Sequence, residues 1–130
     1  MVGYVTGLFD IFSIRDLDLL RGARRHCDRL VVGVVGDGLA DCLVPLEERA
    51  EILRNVRYVD EVRELDSWDL EPAHASVGFD LMVLADGQEE PDLPVRVVRL
   101  SGLRETESAE LRTVLRHDAP AADRGRTPAA

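Results

Sequence analysis

The segment Arg29-Leu-Val-Val-Gly-Val-Val35 is a continuous apolar run that ends at Gly36-Asp37-Gly38. Such a run is typical of a strand that is buried on both faces of a parallel sheet. Upstream of it, residues 13–26 carry apolar side chains at helical spacing, and residues 2–5 form a shorter apolar run before Thr6-Gly7. The first 35 residues therefore predict a strand, a helix and a second strand.

The rest of the chain continues the alternation of strands and helices. Pro45 opens a predicted helix over residues 45–56, which has Glu47 and Glu48 in its first turn, where the helix dipole favours acidic residues. Further elements are predicted at residues 61–65 (strand), 70–77 (weak helix), 80–84 (strand), 95–100 (strand) and 106–116 (helix, with Thr106 as N-cap). Residues 117–130 have no apolar periodicity and predict a disordered tail.

These elements predict a single α/β domain over residues 1–116. We expect about five mostly parallel strands with helices on both faces and alternation of strand and helix throughout. In such a sheet the ligand site lies at the carboxyl ends of the strands. The loops after the first and fourth strands are therefore the places to search for function.

Composition excludes several classes of protein. The chain has 130 residues, 45% of them apolar and 32% charged, which suits one globular domain. No apolar run approaches the roughly 20 residues that cross a bilayer, and no basic leader precedes an apolar run, so we expect a cytoplasmic protein without a membrane partner. Cys27 and Cys42 fit neither a disulfide framework nor a zinc site, and free thiols are expected.

Charge argues against nucleic acid as a partner. The 25 acidic and 16 basic residues give a net charge of −9, and no basic stripe runs along the chain. A phosphate backbone would be repelled over most of this surface. All the basic residues are arginine, so no catalytic lysine is available.

Four segments resemble the cytidylyltransferase family, and by pattern they are closest to the glycerol-3-phosphate cytidylyltransferases. They are Gly3–Asp10 (GYVTGLFD), Cys27–Asp37 (CDRLVVGVVGD), Pro45–Leu53 (PLEERAEIL) and Arg57–Val62 (RYVDEV). The resemblance covers residues 2–116, in order and with similar spacing. It implies a Rossmann-like nucleotidyltransferase domain that binds CTP, with Mg²⁺ as a cofactor wherever the nucleotide binds.

The family's H-x-G-H motif, which contacts the triphosphate, is eroded in this chain. The four positions read Ser13-Ile14-Arg15-Asp16, so both histidines are absent and no catalytic residue is assigned. The sequence favours a capping box, [ST]-x-x-[DE], in which Ser13 and Asp16 satisfy each other's backbone N–H groups. The alternative is that Asp10 and Asp16 share a divalent cation that bridges to phosphate.

Two loops of the family's site are altered as well. The segment that carries a lysine in the family is shortened to residues 38–44. The pattern R-T-x-G-[IV]-S-[ST]-T is represented by residues 99–106 (RLSGLRET), with Arg104 and Glu105 in two hydroxyl positions. Arg104 either replaces a lost cation, since guanidinium binds phosphate bidentately, or is an exposed loop arginine.

The resemblance leaves a set of nucleotide-binding candidates. Asp86 stands where the family has a G-D-[DE] turn near the nucleoside, although an Asx turn would account for it equally well. Trp68 matches a family position, but a packing anchor is the favoured interpretation. The full set of candidates is Thr6, Gly7, Phe9, Asp10, Asp86, Arg99 and Thr106.

Three functional hypotheses follow, and they leave enzymatic activity open. The favoured one is a cytidylyltransferase-like protein that is catalytically impaired and acts through nucleotide binding or assembly. The first alternative is a divergent enzyme that transfers CMP from CTP to a small phosphorylated alcohol or phosphonate, and the second is a regulatory partner of an active relative. A homodimer, or a heterodimer with a related chain, is expected because residues 54–62 resemble the family's subunit interface.

Overall fold

The computed structural model describes residues 1–105, so the predicted helix over 106–116 and the predicted tail over 117–130 lie outside the described residues. Within 1–105 the chain forms five strands and three helices. In chain order they are β1 (Val2–Gly7), α1 (Ile14–Arg24), β2 (Arg29–Val35), α2 (Leu46–Arg54), β3 (Glu61–Leu65), α3 (Glu71–Val77), β4 (Leu81–Ala85) and β5 (Arg96–Leu100). The predicted elements in this range are all present, with ends that differ by no more than two residues.

The strands form one five-stranded sheet in the order β3-β2-β1-β4-β5, and all four neighbouring pairs are parallel. The interior strand β2 is buried along six of its seven residues, as its continuous apolar run predicts. The α/β class and the mostly parallel sheet predicted from the sequence are therefore confirmed.

Helices cover both faces of the sheet. Leu20 and Ala23 of α1 and Leu53 of α2 share one apolar cluster with buried residues of β1, β2 and β4. On the opposite face, Ala73 and Val77 of α3 pack against a second cluster that contains alternate residues of the same strands. Burial on both faces gives the sheet a fixed register, because a one-residue slip would exchange these two side-chain sets.

The alternation of strand and helix stops after β4, which differs from the sequence prediction. Residues 86–95 join β4 to the parallel β5 without a helix. This segment contains Gly87 at φ 91° together with Pro91 and Pro94, and all three residues disfavour helix continuation.

A crevice opens between β1 and β4, where the strand order reverses. Only Gly3 with Leu81 and Tyr4 with Met82 are paired between these strands, whereas the pairing of β1 with β2 continues to Gly7. The carboxyl ends of β1 and β4 therefore part. Ligands of open α/β sheets bind at such a switch point.

Two further features of the described residues concern the membrane and the cysteines. No helix within residues 1–105 is long and apolar enough to span a bilayer. Cys27 and Cys42 are free thiols, and burial raises the pKa of the Cys27 thiol.

Candidate functional site

The predicted nucleotide-binding residues collect around the carboxyl ends of β1, β4 and β5. Thr6 and Gly7 end β1, and Asp86 directly follows β4. Arg99, one residue before the end of β5, donates to the Ala85 carbonyl at 3.0 Å. Phe9 and Asp10 lie in the turn from β1 into α1, and Thr106 lies outside the described residues.

The turn after β1 is fixed by Phe9. Its φ of 49° is left-handed, a conformation that a non-glycine residue rarely adopts, and its side chain is buried in the core cluster beneath α1 and α2. A Cβ on Gly7 would lie 2.9 Å from Phe9 Cε2, so any other residue at the end of β1 would have to displace the Phe9 ring. Phe9 is therefore occupied by the chain's own packing, and its role toward nucleotide stays a prediction.

The capping box predicted at the start of α1 is confirmed. Ser13 is the N-cap residue in an extended conformation, and Asp16 is the third helical residue. The Asp16 carboxylate accepts from the Ser13 N–H at 3.0 Å and from the Ser13 hydroxyl at 3.2 Å. The Ser13 N–H and hydroxyl, which could otherwise face a phosphate at this helix start, are thus used within the chain.

Removing either partner of this box is expected to lower stability. Ser13→Ala and Asp16→Ala should each lower the free energy of unfolding by about 0.5–2 kcal/mol, because first-turn N–H groups lose their acceptor. Chemical denaturation measures the change, with Glu51→Ala on the exposed face of α2 as the matched acidic control. If Asp16→Ala instead stabilised the protein, repulsion from Asp10 would be the dominant effect, and the shared-cation interpretation would replace the capping one.

Asp10 holds the shortened loop between β2 and α2. Its side chain is 2% exposed. The two carboxylate oxygens accept from the backbone N–H groups of Leu43 at 3.1 Å and of Val44 at 2.9 Å. The aspartate that the resemblance assigns to nucleotide therefore also fixes the loop that faces the site.

The donor set is a poor fit to the Mg²⁺ site proposed on Asp10 and Asp16. Both oxygens of Asp10 and one oxygen of Asp16 already accept hydrogen bonds from the chain. Within residues 1–105 no group of three or more acidic, histidine or cysteine side chains is placed to hold a metal ion. A cation on these two carboxylates would have to displace the capping box and the loop contacts.

The structure adds a residue that the sequence analysis missed. Arg49 of α2 is fully buried, and its guanidinium donates to the carbonyls of Leu8 (2.9 Å), Val35 (2.7 Å) and Val44 (2.8 Å). A fourth bond, of 2.8 Å, joins it to the Asp37 carboxylate. Arg49 thus ties together the loops that follow β1 and β2.

A sequence signal for Arg49 exists in the pattern of α2. The core-facing stripe of this helix contains Leu46, Ala50 and Leu53, and position 49 falls on the same stripe. A charged residue on an apolar stripe must find partners for every donor, because unpaired burial of a charge is costly. The acceptors are carbonyls of distant loops, which the sequence does not mark.

The loop after β5 is attached to α1 by two ion pairs. Arg104 forms a bidentate contact with Asp18, at 2.8 and 2.6 Å, and its backbone N–H also donates to Asp18 at 3.0 Å. Arg15 pairs with Glu105 at 2.8 Å. Hydrogen bonds from Arg104 hold the pKa of Asp18 well below its usual range. Arg104 is therefore an exposed loop arginine that a carboxylate of α1 holds in place.

Asp86 occupies an exposed turn. Its neighbour Gln88 closes the turn instead: the Gln88 N–H donates to the Ala85 carbonyl at 3.2 Å, and the Gln88 side-chain oxygen accepts from the Ala85 N–H at 2.8 Å. The carboxylate of Asp86 makes no hydrogen bond to the rest of residues 1–105. Its assignment as a nucleotide ligand stays a prediction.

A cavity of about 530 Å³ lies beside the crevice, between the loop before α3 and the loop after β4. Thr6, Trp68 and Leu84 contribute to its walls. Trp68 is 63% exposed, so its interpretation as a packing anchor is wrong. The described residues that line the cavity include no arginine and five carboxylates, namely Asp69, Glu71, Glu89, Glu90 and Asp92.

Comparison with known proteins identifies the family of this fold. A family model described as cytidylyltransferase-like matches residues 4–118. The chain belongs to the cytidylyltransferase-like family.

Two curated relatives and one solved structure illustrate how this cytidylyltransferase-like chain compares. The FAD synthase of Pyrococcus abyssi is 28% identical, with 86% of this chain and 88% of that protein covered. The bifunctional protein HldE of Gluconacetobacter diazotrophicus is 40% identical over a segment that makes up 47% of this chain. That segment covers only 14% of HldE. The lipopolysaccharide core biosynthesis protein of Thermoplasma volcanium is 20% identical with a TM-score of 0.72, covers 78% of this chain and 96% of its own, and supports the fold.

Proposed function

We propose that this cytidylyltransferase-like domain does not transfer nucleotide and acts through nucleotide binding or assembly. The observation that carries the proposal is the capping box at the start of α1, where Asp16 accepts from the Ser13 N–H and hydroxyl. In the family that this sequence resembles, imidazole donors face the triphosphate at these positions. Here the third helical residue is Asp16, and its carboxylate accepts from the N-cap residue Ser13.

The charge at this position opposes catalysis. A carboxylate about 4 Å from a phosphate oxygen costs about 1–4 kcal/mol at effective dielectrics between water and the protein surface. Catalysis of phosphoryl and nucleotidyl transfer depends on donors and cations that stabilise the charge developing in the transition state. Asp16 supplies the opposite charge, so it weakens binding of the transition state.

Other cations near the site are already paired. Arg15 contacts Glu105 and Arg104 contacts Asp18, so each arginine that could have replaced a family donor has a carboxylate of its own. The chain has no lysine. A nucleotide triphosphate at the start of α1 would therefore share each of these arginines with a carboxylate, and this weakens the cationic contacts that it can gain.

A second candidate function is a divergent active enzyme. The acidic cavity would limit the acceptors that such an enzyme could use. The cavity of about 530 Å³ is large enough for a small molecule and opens beside the carboxyl end of β1 at Thr6. Five carboxylates line it, so an acceptor that placed a phosphate or phosphonate inside it would be repelled. If the enzyme is active, we expect the part of the acceptor that enters this cavity to be neutral or cationic.

The decisive experiment is an assay of CTP-dependent pyrophosphate release with a panel of phosphorylated alcohols and phosphonates. We expect no turnover above the no-enzyme control, because both imidazole donors and the lysine of the family pattern are absent. An active family member with both histidines, assayed in parallel, is the control for the reagents. Steady turnover with any acceptor would reject the proposal in favour of the divergent enzyme, and calorimetry with CTP, with and without Mg²⁺, then measures binding independently of turnover.

Assembly is the second part of the proposal, and its basis is the segment 54–62 together with the exposed end of α2. Ile52 is 47% exposed, and the Arg57 guanidinium lies 5.8 Å from the centre of the Tyr58 ring. Asp60 is already used within the chain, since it accepts from the Leu30 N–H at 2.7 Å. An aliphatic side chain and a cation beside an aromatic ring are common components of protein interfaces.

We expect a dimer in sedimentation experiments at tens of micromolar protein, and a shift toward monomer for Ile52→Glu because a charge would replace an apolar contact. Glu51→Gln on the same helix is the control. A wild-type protein that sediments as a monomer at that concentration would contradict self-assembly and leave only pairing with a related chain.

A further inference from the structure

A second cavity, of about 430 Å³, lies on the outer flank of α1 against the loop after β5. Arg21 and Arg25 of α1 and Arg104 of the loop line it, together with Asp18. Three guanidinium groups and one carboxylate leave a local charge of about +2 on the lining, in a chain whose net charge is −9. This concentration of positive charge is separate from the start of α1 and from the acidic cavity.

The cavity forms because four residues share one face of α1 and because Gly22 allows β5 to approach that face. Residues 18, 21, 22 and 25 recur at the intervals that place side chains on one face of a helix. A Cβ on Gly22 would lie 2.7 Å from Leu100 Cδ1, so glycine allows β5 to approach the helix at this point. Gly102, at φ 70°, then turns the chain so that Arg104 returns to the helix.

Asp18 occupies only part of the donor capacity of these arginines. A guanidinium carries five N–H donors. Arg21 uses one nitrogen on Asp18, at 3.1 Å, and Arg104 uses two. The exposed Arg25 guanidinium makes no hydrogen bond or ion pair with any other residue in the range 1–105. Donors therefore remain for a second anion.

We propose that this cavity binds a phosphoryl group, either as inorganic phosphate or as part of a phosphorylated small molecule. Arg25 and the unused donors of Arg21 and Arg104 contact the phosphoryl oxygens, and the Asp18 carboxylate fixes two of the three guanidiniums in place. A phosphoryl dianion matches the lining charge of about +2, and its oxygens accept from guanidinium forks with charge-assisted hydrogen bonds. Asp18 also competes with the ligand, so it limits the affinity of the site.

The test is a titration of the full chain with inorganic phosphate, pyrophosphate and CTP, followed by amide NMR and calorimetry at fixed ionic strength. We expect phosphate to shift the backbone amides of residues 101–103. Arg25→Ala should weaken binding about fivefold, which corresponds to one unit-charge interaction across roughly 4 Å of water. The control is Arg54→Ala, because Arg54 is an exposed arginine at the end of the other long helix.

A second variant keeps the test independent of Arg25. Asp18→Asn removes the competing charge, and we expect it to raise phosphate affinity about fivefold for the same electrostatic reason. If CTP binds more strongly than phosphate and is weakened to the same degree by Arg25→Ala, a nucleotide is the source of the phosphoryl group. If CTP and phosphate bind with equal affinity, the ligand is free phosphate.

Three results would overturn the proposal. They are the absence of phosphate-induced shifts at millimolar concentration, equal weakening by Arg25→Ala and Arg54→Ala, and shifts confined to residues 6–10. The last pattern would place the anion at the turn after β1. None of these results depends on pyrophosphate release, so failure of this site and failure of the proposed function are distinguishable.

Discussion

Replacing Arg49 by methionine is expected to lower the free energy of unfolding by about 3–5 kcal/mol, because three carbonyls around the buried guanidinium would each lose their donor at a cost of about 1–3 kcal/mol. Methionine fills a similar length but donates nothing. The carbonyls of Leu8, Val35 and Val44 would lose their hydrogen bonds, and the Asp37 carboxylate would lose its ion pair. Urea denaturation measures the loss.

Arg54→Met is the matched control for this prediction, because it lies on the same helix and is exposed. We expect Arg54→Met to change stability by no more than about 0.5 kcal/mol, as is usual for surface substitutions. Comparable losses of unfolding free energy for the two variants would show that the contacts of Arg49 do not stabilise the domain. A large loss for Arg49→Met alone would show that one side chain holds both loops against the sheet.

The fold could be predicted from the sequence because its signals are local. The apolar run of β2 and the helical spacing before it depend on neighbours in the chain, and the structure confirms both elements. The capping box was predictable for the same reason, since Ser13 and Asp16 are three residues apart. The capping contact is formed within one turn of helix, so it does not depend on how distant parts of the chain pack.

The contacts that shape the site are distant in sequence, and no local pattern marks them. Arg104 meets Asp18 across 86 residues, and Arg15 meets Glu105 across 90. Each of these residues alone is typical of a solvated surface. Only the packing of β5 beside α1, which Gly22 and Leu100 permit, brings the pairs together. The same limit explains the exposed Trp68, because the burial of an aromatic ring depends on which loops close over it.

The loop from β4 to β5 also differed from the prediction for a physical reason. Alternation of strand and helix is a statistical rule for parallel sheets, but it needs a segment that can form a helix. Residues 86–95 contain one glycine and two prolines among four acidic residues, so they connect the parallel strands through turns and bends without a helix. The carboxylates of Glu89, Glu90 and Asp92 in this loop then line the larger cavity, which lies beside the candidate site.

The second large effect is expected for Asp10→Ala. Its carboxylate is 2% exposed and accepts from the N–H groups of Leu43 and Val44. Each buried N–H left without an acceptor costs about 1–3 kcal/mol, so we expect the free energy of unfolding to fall by about 2–4 kcal/mol. Asp10→Asn should lose less, because its amide oxygen can still accept from one of the two N–H groups.

The Asp10 variants also separate a structural role from a ligand role. Asp86→Ala is the control: Asp86 is exposed and is the other aspartate assigned to nucleotide, and we expect its loss to leave stability unchanged. Denaturation and CTP calorimetry on both variants give the comparison. If Asp10→Ala left stability intact and abolished CTP binding, the carboxylate would be a ligand, and the loop between β2 and α2 would owe its position to Arg49. If Asp10→Ala destabilised the protein while Asp86→Ala weakened CTP binding, the nucleotide would depend on the turn after β4, with Asp10 serving to hold the opposite wall of the site.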